Sequence, residues 1–293
     1  MYIVQRTAWH DVLVSVERTS AGDPARTLEL LWRVPATSRR GPRQGLSIDA
    51  VVCAATTLAD SEGLAAVTMR RVAQVLGVAP MTLYTYVPSK AEMLDLMLDA
   101  AYAQMSRTST AEQPWRQRVT AIAGENRALF EAHPWAATVS TTRPPLGPGL
   151  MAKYEHELSA LNGLGLDDVE MDAALTYLLS FVQSCARDAT AARISQQDSA
   201  MDDEQWWAAN APLLAKVFDA EAYPTAARVG AAAGAAYGSA YSPEHAYDFG
   251  LHRVLDGLAA LIESPARNPA PNGDCVGTAV RDEAPNGAQD GSI

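Results

Sequence analysis

The stretch TMRRVAQVLGVAPMTLYTYVPSK, which begins at Thr68, combines side chains suited to nucleic-acid contact with the punctuation of two short helices. Thr68 can cap the first helix, because its hydroxyl accepts a hydrogen bond from a free backbone N–H of the first turn. Gly77 supplies the backbone freedom that ends this helix. Pro80 suits the first turn of the next helix, where its missing N–H has no partner. The stretch therefore predicts helices over 68–76 and 80–86, joined by a tight turn.

Apolar side chains at helical spacing would lock these two helices together. They are Val72, Ala73, Leu76, Val78, Leu83 and Val87. The side chains that then face outward from the second helix are Pro80, Met81, Thr82, Thr85 and Tyr86. Two locked helices, the second with short outward side chains, are what a helix-turn-helix needs to lie in the major groove of DNA. An ordinary helical hairpin with an incidental glycine is the alternative interpretation.

Helical patterns fill the rest of the chain and predict an all-α fold. A first helix runs from Ser47 to Glu62, a fourth from Ser89 to Ser106, and 107–114 form a linker. Further helices are predicted over 115–132, 147–162, 168–194, 202–219, 222–235 and 244–263. The predicted organisation is an N-terminal extension (1–45), a three-helix DNA-binding domain extended by the fourth helix (46–106), a ligand-binding and dimerisation domain (115–263) and a disordered tail (264–293).

The extension contains two distinct features. Residues 25–33 predict a short amphipathic helix with Leu28, Leu31 and Trp32 on one side. Arg39, Arg40 and Arg43 lie among Gly and Pro in 38–45, directly before the first helix. A flexible cationic arm of this kind can enter a minor groove or follow phosphates. A solvated linker is the equal alternative.

Charge is distributed unevenly along the chain. The formal net charge is −11, but residues 1–90 carry ten Arg/Lys and seven Asp/Glu, whereas 91–293 carry thirteen and twenty-seven. The end that contains the helix-turn-helix is therefore basic (+3) and the body acidic (−14), which favours one docking orientation on DNA.

Composition excludes several other classes. Cys53, Cys185 and Cys275 are odd in number and far apart, so neither a disulfide framework nor a zinc site is indicated, and a reducing cytoplasm fits. No apolar run approaches the ~20 residues of a membrane span. No GxSxG, HExxH, P-loop or CxxC pattern supports an enzyme, and no cofactor is expected.

Residues 46–105 resemble the DNA-binding domain of the TetR family of transcriptional regulators. The matching positions are Ala54, Ala55, Leu58, Gly63, Thr68–Ala73, Leu76–Val78, Thr82–Tyr84, Tyr86, Val87, Lys90 and Leu94. The C-terminal region is similar to the family's ligand-binding domains, though less closely. The resemblance implies a homodimeric DNA-binding regulator that recognises palindromic double-stranded operator DNA.

Roles on DNA follow from the resemblance, position by position. Arg70 matches a base-contacting position, Lys90 a phosphate contact at the start of the fourth helix, and Arg71 is interpreted as a surface charge. Pro80 and Met81 offer few hydrogen-bond donors, so base readout would depend more on Arg70, Thr82 and the arm. The full predicted DNA-facing set is Arg39, Arg40, Arg43, Thr68, Arg70, Pro80, Met81, Thr82, Tyr84, Thr85, Tyr86 and Lys90.

The resemblance also implies a small-molecule effector bound in the body. Residues 133–150 are similar to a pocket region in one subgroup of the family. The candidate ligand contacts, which offer aromatic faces and a few polar groups, are His133, Trp135, Arg143, Tyr154, Tyr177, Phe181 and Trp206. An ordinary core position is the competing interpretation for each aromatic side chain. His156 and Glu157 are adjacent, so they point about 100° apart on a helix, and no metal site is expected.

Dimerisation is predicted from two long helices with wide apolar stripes. The stripes contain Leu175, Leu178, Leu179 and Val182, and Phe249, Leu251, Val254, Leu255, Leu258, Leu261 and Ile262. Burial of both stripes in the chain's own core is the alternative. The resulting hypothesis is a repressor released from its operator by a ligand. A transcriptional activator or a ligand-independent regulator with the same DNA-binding domain is the alternative.

Overall fold

The computed structural model of the chain describes residues 17–34 and 46–263. The predicted arm at 38–45 and the predicted tail at 264–293 lie outside these ranges. Within them the helices are α1 (Pro24–Leu31), α2 (Ile48–Glu62), α3 (Met69–Val75), α4 (Pro80–Tyr84), α5 (Lys90–Gln104), α6 (Trp115–Ala132), α7 (Pro134–Thr138), α8 (Pro148–Ser159), α9 (Asp168–Ser199), α10 (Asp203–Leu214), α11 (Pro224–Tyr237) and α12 (Pro243–Ile262), with a 3₁₀ turn at Leu64–Ala66. The predicted all-α fold is confirmed.

The helix-turn-helix forms through local signals. Thr68 Oγ1 accepts a hydrogen bond from Arg71 N at 3.1 Å. After α3, Gly77 adopts a φ of +67°, and Val78 N donates to Ala73 O at 3.0 Å. Leu83 of α4 is fully buried between α3 and the rest of the core. The turn and the packing of the two helices are therefore as predicted.

The second helix is shorter than the predicted 80–86. Thr85 N donates to Thr82 O and Tyr86 N to Leu83 O, which are i→i−3 bonds of a tightening last turn. Pro88 follows, and the residue before a proline is disfavoured in helical conformation. The helix therefore ends at Tyr84.

The central helix α5 is buried along its length and connects the helix-turn-helix to the body. It packs on α2 on one side and on α8 on the other. At the second contact Gly149 is required, because a Cβ there would lie 2.0 Å from Asp99 O of the α5 backbone. Leu150 N also donates to Asp99 Oδ1 at 2.8 Å. We call α5 the lever, since both halves of the chain are fixed to it.

Helices α6, α9 and α12 build the core of the body. Most of the two stripes on α9 and α12, from which dimerisation was predicted, is buried in this core. The buried side chains are Leu175, Leu178, Val182, Leu251, Val254, Leu255 and Leu258. The interpretation of these side chains as surplus apolar surface was wrong, because α6 covers them within one chain. The exposed large apolar side chains on these two helices are Val169, Tyr177, Ile194 and Phe249, and Phe249 belongs to the predicted stripe.

Helix boundaries in the body differ from the predictions in three places. Residues 134–138 form α7, a helix that was not predicted, because Pro134 starts a short helix there. Helix α9 continues to Ser199, and α10 ends at Leu214, where 219 was predicted. Helices α10 and α11 contain no buried residue. Contacts with the core therefore do not lengthen either helix.

Residues 17–34, here called the strap, pack along the lever. Leu30 and Leu31 of α1 are buried, whereas Leu28 and Trp32 are 40% and 49% exposed. Of the three side chains predicted on one side of this helix, only Leu31 is buried. Helix α1 ends at Leu31, so Trp32 is its C-cap and turns outward.

Polar contacts hold the strap to both halves of the chain. Arg33 pairs with Asp49 of α2 at 2.6 Å, and Trp32 Nε1 donates to Leu146 O at 2.8 Å. Ser20 N donates to Asp95 Oδ1 of the lever at 2.8 Å. Burial raises the pKa of the Asp95 carboxyl to about 6, although this hydrogen bond acts in the opposite direction.

Candidate DNA-binding face and effector cavity

Helix α4 presents an exposed face of small, thioether and aromatic groups. Met81 is 74% exposed, Tyr84 is 43% exposed, and Pro80 and Thr85 are also exposed. Thr85 Oγ1 donates to Thr82 O at 2.6 Å, so its proton is engaged within the helix and its oxygen remains an acceptor. Pro80 and Met81, which have no donor in their side chains, can pack on bases without donating a hydrogen bond.

Tyr86 faces outward only in part. Its side chain is half-buried and packs against the core of the helix-turn-helix. The helix has already ended at Tyr84, and the tightened turn rotates Tyr86 toward the core. Thr82 is also half-buried, which leaves part of its side chain accessible at the start of α4.

The two neighbouring arginines of α3 have different surroundings. Arg71 pairs with Glu62 at 2.9 Å and donates to Gln74 Oε1 at 3.2 Å. Arg70 is exposed, and its guanidinium has no ion pair or hydrogen bond with the described residues. The free cation on this face is therefore at the position predicted to contact a base, and the paired one at the position interpreted as a surface charge.

Lys90, the predicted phosphate contact, lies at the start of the lever. Its Nζ is 2.5 Å from Glu17 Oε1 of the strap, and both side chains are partly exposed. A phosphate would have to compete with this carboxylate for Lys90. The pair could not be predicted from local patterns, because Glu17 and Lys90 are 73 residues apart. Arg39, Arg40 and Arg43 lie outside the described residues.

Two of the predicted ligand contacts instead join the body to the helix-turn-helix. Trp135 is buried, and its Nε1 donates to Asp60 Oδ1 of α2 at 2.7 Å. His133 Nδ1 lies 2.9 Å from the same oxygen. One carboxylate thus holds both rings, and neither lines the cavity among α6, α9 and α12 that is described below.

The other predicted ligand contacts are dispersed. Tyr154 donates to Asp172 Oδ1 at 2.7 Å on the surface, and Tyr177 is 62% exposed. Phe181 stacks on Tyr247 with ring centroids 5.9 Å apart, Trp206 lines a cavity of about 310 Å³ beside α10, and Arg143 lines another beside the strap. The structure does not bring these side chains together into one site.

A cavity of about 460 Å³ lies among α6, α9 and the start of α12. Its lining includes three alanines of α9, Ala186, Ala189 and Ala192, which face the larger side chains of Phe130 and Tyr247. Short side chains on one helix opposite rings on its neighbours leave room between the helices. None of the seven predicted ligand contacts lines this cavity. The alanine spacing on α9 was the sequence signal that could have located it.

Charged groups form one side of the cavity. Arg127 pairs with Glu131 at 2.8 Å and with Glu244 at 3.3 Å, and its guanidinium lies 4.6 Å from the centre of the Tyr247 ring. The hydrogen bond to Glu131 raises the pKa of Arg127, so the cation is maintained. The cavity thus offers a charged edge, apolar surfaces from Phe130 and the alanines of α9, and further polar groups from Arg193, Gln196 and Asp203.

A smaller cavity of about 70 Å³ separates this region from the lever. Phe130 lines both cavities, and Tyr102 of α5 lines the smaller one. Lys153, which lines it too, forms a buried pair with Glu157 at 2.6 Å, and Asn126 Nδ2 donates to the same carboxylate at 2.6 Å. Side chains of the lever and of the large cavity are therefore linked through Phe130.

Two further observations concern metals and membranes. The described residues contain no group of three or more His, Cys, Asp or Glu side chains that could hold a metal ion. His156 and Glu157 have separate partners, Glu125 and Lys153. Among the helices in the described ranges, none is both long and apolar enough to cross a bilayer.

Family models match most of the chain described above. Residues 52–97 match the model of bacterial regulatory proteins of the tetR family, and residues 109–262 match the tetracyclin repressor-like C-terminal domain. The chain belongs to the TetR family. As a TetR-family member it is a DNA-binding transcriptional regulator, and regulators of this family act as homodimers on operator DNA.

Individual relatives agree with this assignment. The chain is 37% identical over 258 residues to the HTH-type transcriptional repressor DrrR1 of Streptomyces coeruleorubidus, covering 88% of this chain and 93% of that protein. It is 26% identical over 232 residues to the tetracycline repressor protein class E of Escherichia coli, covering 78% and 98%. The structure is similar to Streptomyces coelicolor ActR in complex with actinorhodin, with a TM-score of 0.63 and 27% identity over 74% of this TetR-family chain and 97% of that one.

Proposed function

We propose that this TetR-family repressor binds its effector in the 460 Å³ cavity among α6, α9 and α12, and that the effector is a planar polycyclic aromatic compound. The cavity carries the proposal: its volume is within the range of small-molecule sites, and such sites are largely apolar with a few placed polar groups. The similarity to ActR in complex with actinorhodin supports the same ligand class. The repressor would act in the cytoplasm, where it meets its operator.

The surfaces of the cavity favour a flat ligand. Phe130 and Tyr247 offer ring faces opposite the alanines of α9, and aromatic rings stack favourably on other rings. Arg127 and Glu131 lie at the edge, where they can bond ring-borne hydroxyl or carbonyl oxygens. An aliphatic or strongly anionic ligand would use these groups less well.

Release from DNA would proceed through Phe130 and the lever. A ligand in the large cavity displaces or fixes Phe130, which also lines the small cavity beside Tyr102 of α5. The two DNA-binding domains of a dimer must contact half-sites about 34–36 Å apart. A ligand that prefers a different lever position shifts the population toward a spacing that does not fit the operator.

Filling the cavity is expected to abolish release and to preserve DNA binding. In Ala189→Trp the indole would occupy the space between α9 and the rings, so the operator affinity should stay within about threefold while the ligand response is lost. Operator binding would be followed by fluorescence anisotropy with a panel of planar polycyclic compounds that begins with actinorhodin and tetracycline. Ala191→Trp, at an exposed position of the same helix, is the matched control and should respond as the native protein does. Release of Ala189→Trp at native ligand concentrations would rule out this cavity.

Arg70 and Arg71 are expected to contribute differently to operator recognition. Arg70→Ala should lose about 1–3 kcal/mol of discrimination at one base pair, because an unpaired arginine can bond a guanine edge bidentately. Arg71→Ala should change specificity little, since its guanidinium is already paired with Glu62. Competition binding with single-base operator variants and with random DNA would measure both. Equal losses on operator and random DNA for Arg70→Ala would contradict a base-reading role.

Lys90 is expected to act on all DNA sequences alike. Lys90→Ala should weaken operator and random DNA equally and reduce the slope of log affinity against log salt by about one. Glu17→Gln should have the opposite effect on affinity, because it removes the carboxylate that holds Lys90 Nζ at 2.5 Å. Salt titrations of both variants would test this. If Glu17→Gln leaves affinity unchanged while Lys90→Ala lowers it, the carboxylate does not compete with phosphate.

A further inference from the structure

We infer that the chain has a second ligand site, for a small oxyanion, at the joint between the lever and the body. The site is a cavity of about 320 Å³ that lies apart from the effector cavity and shares no lining residue with it. It is lined by the linker after α5, by Arg118 of α6 and by His156 and Ser159 of α8. The inference does not depend on the identity or the position of the effector.

Two arginines with unused donors carry the argument. The Nε atoms of Arg107 and Arg118 are buried and have no hydrogen-bond partner. Buried polar atoms are normally satisfied, and a buried guanidinium donor without a partner is costly. Arg107 uses Nη2 to hold Tyr102 O at 2.7 Å, whereas no contact holds the Arg118 side chain among the described residues. An oxyanion between the two guanidinium groups would satisfy both Nε atoms.

The rest of the lining suits an oxyanion too. Hydroxyl groups come from Thr108, Ser109, Thr110 and Ser159, and no carboxylate lines the cavity. The nearest acidic side chain in this network, Glu125, is occupied: its two oxygens accept from Thr108 N at 2.6 Å and contact His156 Nε2 at 2.8 Å. Hydroxyls and guanidinium groups are the donors that phosphate and carboxylate ligands prefer.

The local charge supports the same chemistry. The pKa of Lys153 is lowered first by burial, and the charge of Arg107 lowers it further, while Glu157 raises it. The positive field of Arg107 therefore reaches the neighbouring buried lysine. An anion beside Arg107 would reduce this repulsion.

A phosphate of bound DNA cannot be the occupant. The predicted DNA contact of the lever is Lys90, at its first residue, whereas Arg107 lies beyond its last residue, Gln104. Fifteen helical residues span about 22 Å at ~1.5 Å each. The occupant is therefore a free phosphate, a phosphorylated small molecule or a compact carboxylate, and it would tie the end of the lever to α6 and α8.

Calorimetric titration of the full chain with inorganic phosphate and pyrophosphate, in a buffer low in chloride, tests the site. Saturable binding is expected, and Arg118→Gln should weaken it about tenfold or more through loss of a charge-assisted hydrogen bond. Arg116→Gln, on the same helix but paired with Asp256, is the matched control and should bind like the native chain. Ser109→Glu, at an exposed linker position, places a carboxylate at the rim without disturbing the core and should abolish binding. Hydrogen exchange across 105–114 should slow when pyrophosphate is added.

The outcomes separate clearly. Saturable binding that is lost in Arg118→Gln and Ser109→Glu, but kept in Arg116→Gln, supports the site. Absence of saturable binding to the native chain, or equal binding by Ser109→Glu, overturns it. Either result leaves the effector test with Ala189→Trp unaffected, because that cavity has a separate lining.

Discussion

Gly149→Ala is expected to destabilise the chain by about 1–3 kcal/mol, the usual cost of overpacking, and to weaken operator binding. The added Cβ would lie 2.0 Å from Asp99 O and 3.0 Å from Ala103 N, and both atoms belong to the lever backbone. A backbone cannot rotate away as a side chain does. Helix α8 must therefore move away from the lever, and the helix-turn-helix must change its position relative to the body.

Gly124→Ala is the matched control for this effect. Gly124 is exposed in α6, and a Cβ there would meet nothing within 4 Å. Because alanine is favoured over glycine in a helix by up to about 1 kcal/mol, this variant should be neutral or more stable. Denaturant unfolding of both variants, with operator binding measured in parallel, gives the comparison. Native stability of Gly149→Ala would contradict close contact between α5 and α8.

Lys153→Met is expected to have the largest effect on stability, about 3–5 kcal/mol, as for other broken buried ion pairs. Glu157 would keep the hydrogen bond from Asn126 at 2.6 Å, but its charge would lose the ammonium group in an interior where its side chain is 2% exposed. Replacing both partners, in Lys153→Met/Glu157→Gln, should recover most of the loss, because the uncompensated charge is then removed.

A double-mutant cycle on denaturant unfolding would measure this coupling. The exposed pair of Arg253 and Asp256, at 2.6 Å with both side chains more than half exposed, is the control. Its disruption in Arg253→Met should cost no more than about 1 kcal/mol. Similar losses for Lys153→Met and Arg253→Met would mean that the Lys153–Glu157 pair is effectively solvated.

The helix-turn-helix could be predicted from the sequence because its signals are local. Thr68, Gly77 and Pro80 act within one turn of their own position, and each has the predicted role in the structure. The predicted helix over 115–132 agrees with α6 at both ends for the same reason, since Pro114 precedes it and Pro134 closely follows it. Long-range packing was not needed to place these elements.

The residues that line the cavity proposed for the effector could not be predicted, because they depend on packing between distant segments. An aromatic ring with a polar atom is typical of a ligand pocket and equally of a buried, hydrogen-bonded joint. Trp135 proved to be the second kind, since its partner Asp60 is 75 residues away. The cavity itself is formed by absence of bulk at Ala186 and Ala189, which a search for aromatic and charged residues overlooks. The ion pair between Glu17 of the strap and Lys90 was not predicted either, because the two residues are far apart in the sequence.

The most direct test is fluorescence anisotropy of the intergenic DNA upstream of the gene that encodes this chain. The DNA is titrated with the native protein and with Ala189→Trp, each with and without the planar polycyclic compounds. Both proteins are expected to bind tightly and in a salt-dependent manner, and at least one compound should release the native protein alone. Specific binding by the native protein that no planar compound weakens would contradict the proposed effector class. Release of both proteins at the same compound concentration would contradict the cavity among α6, α9 and α12 as the site of control.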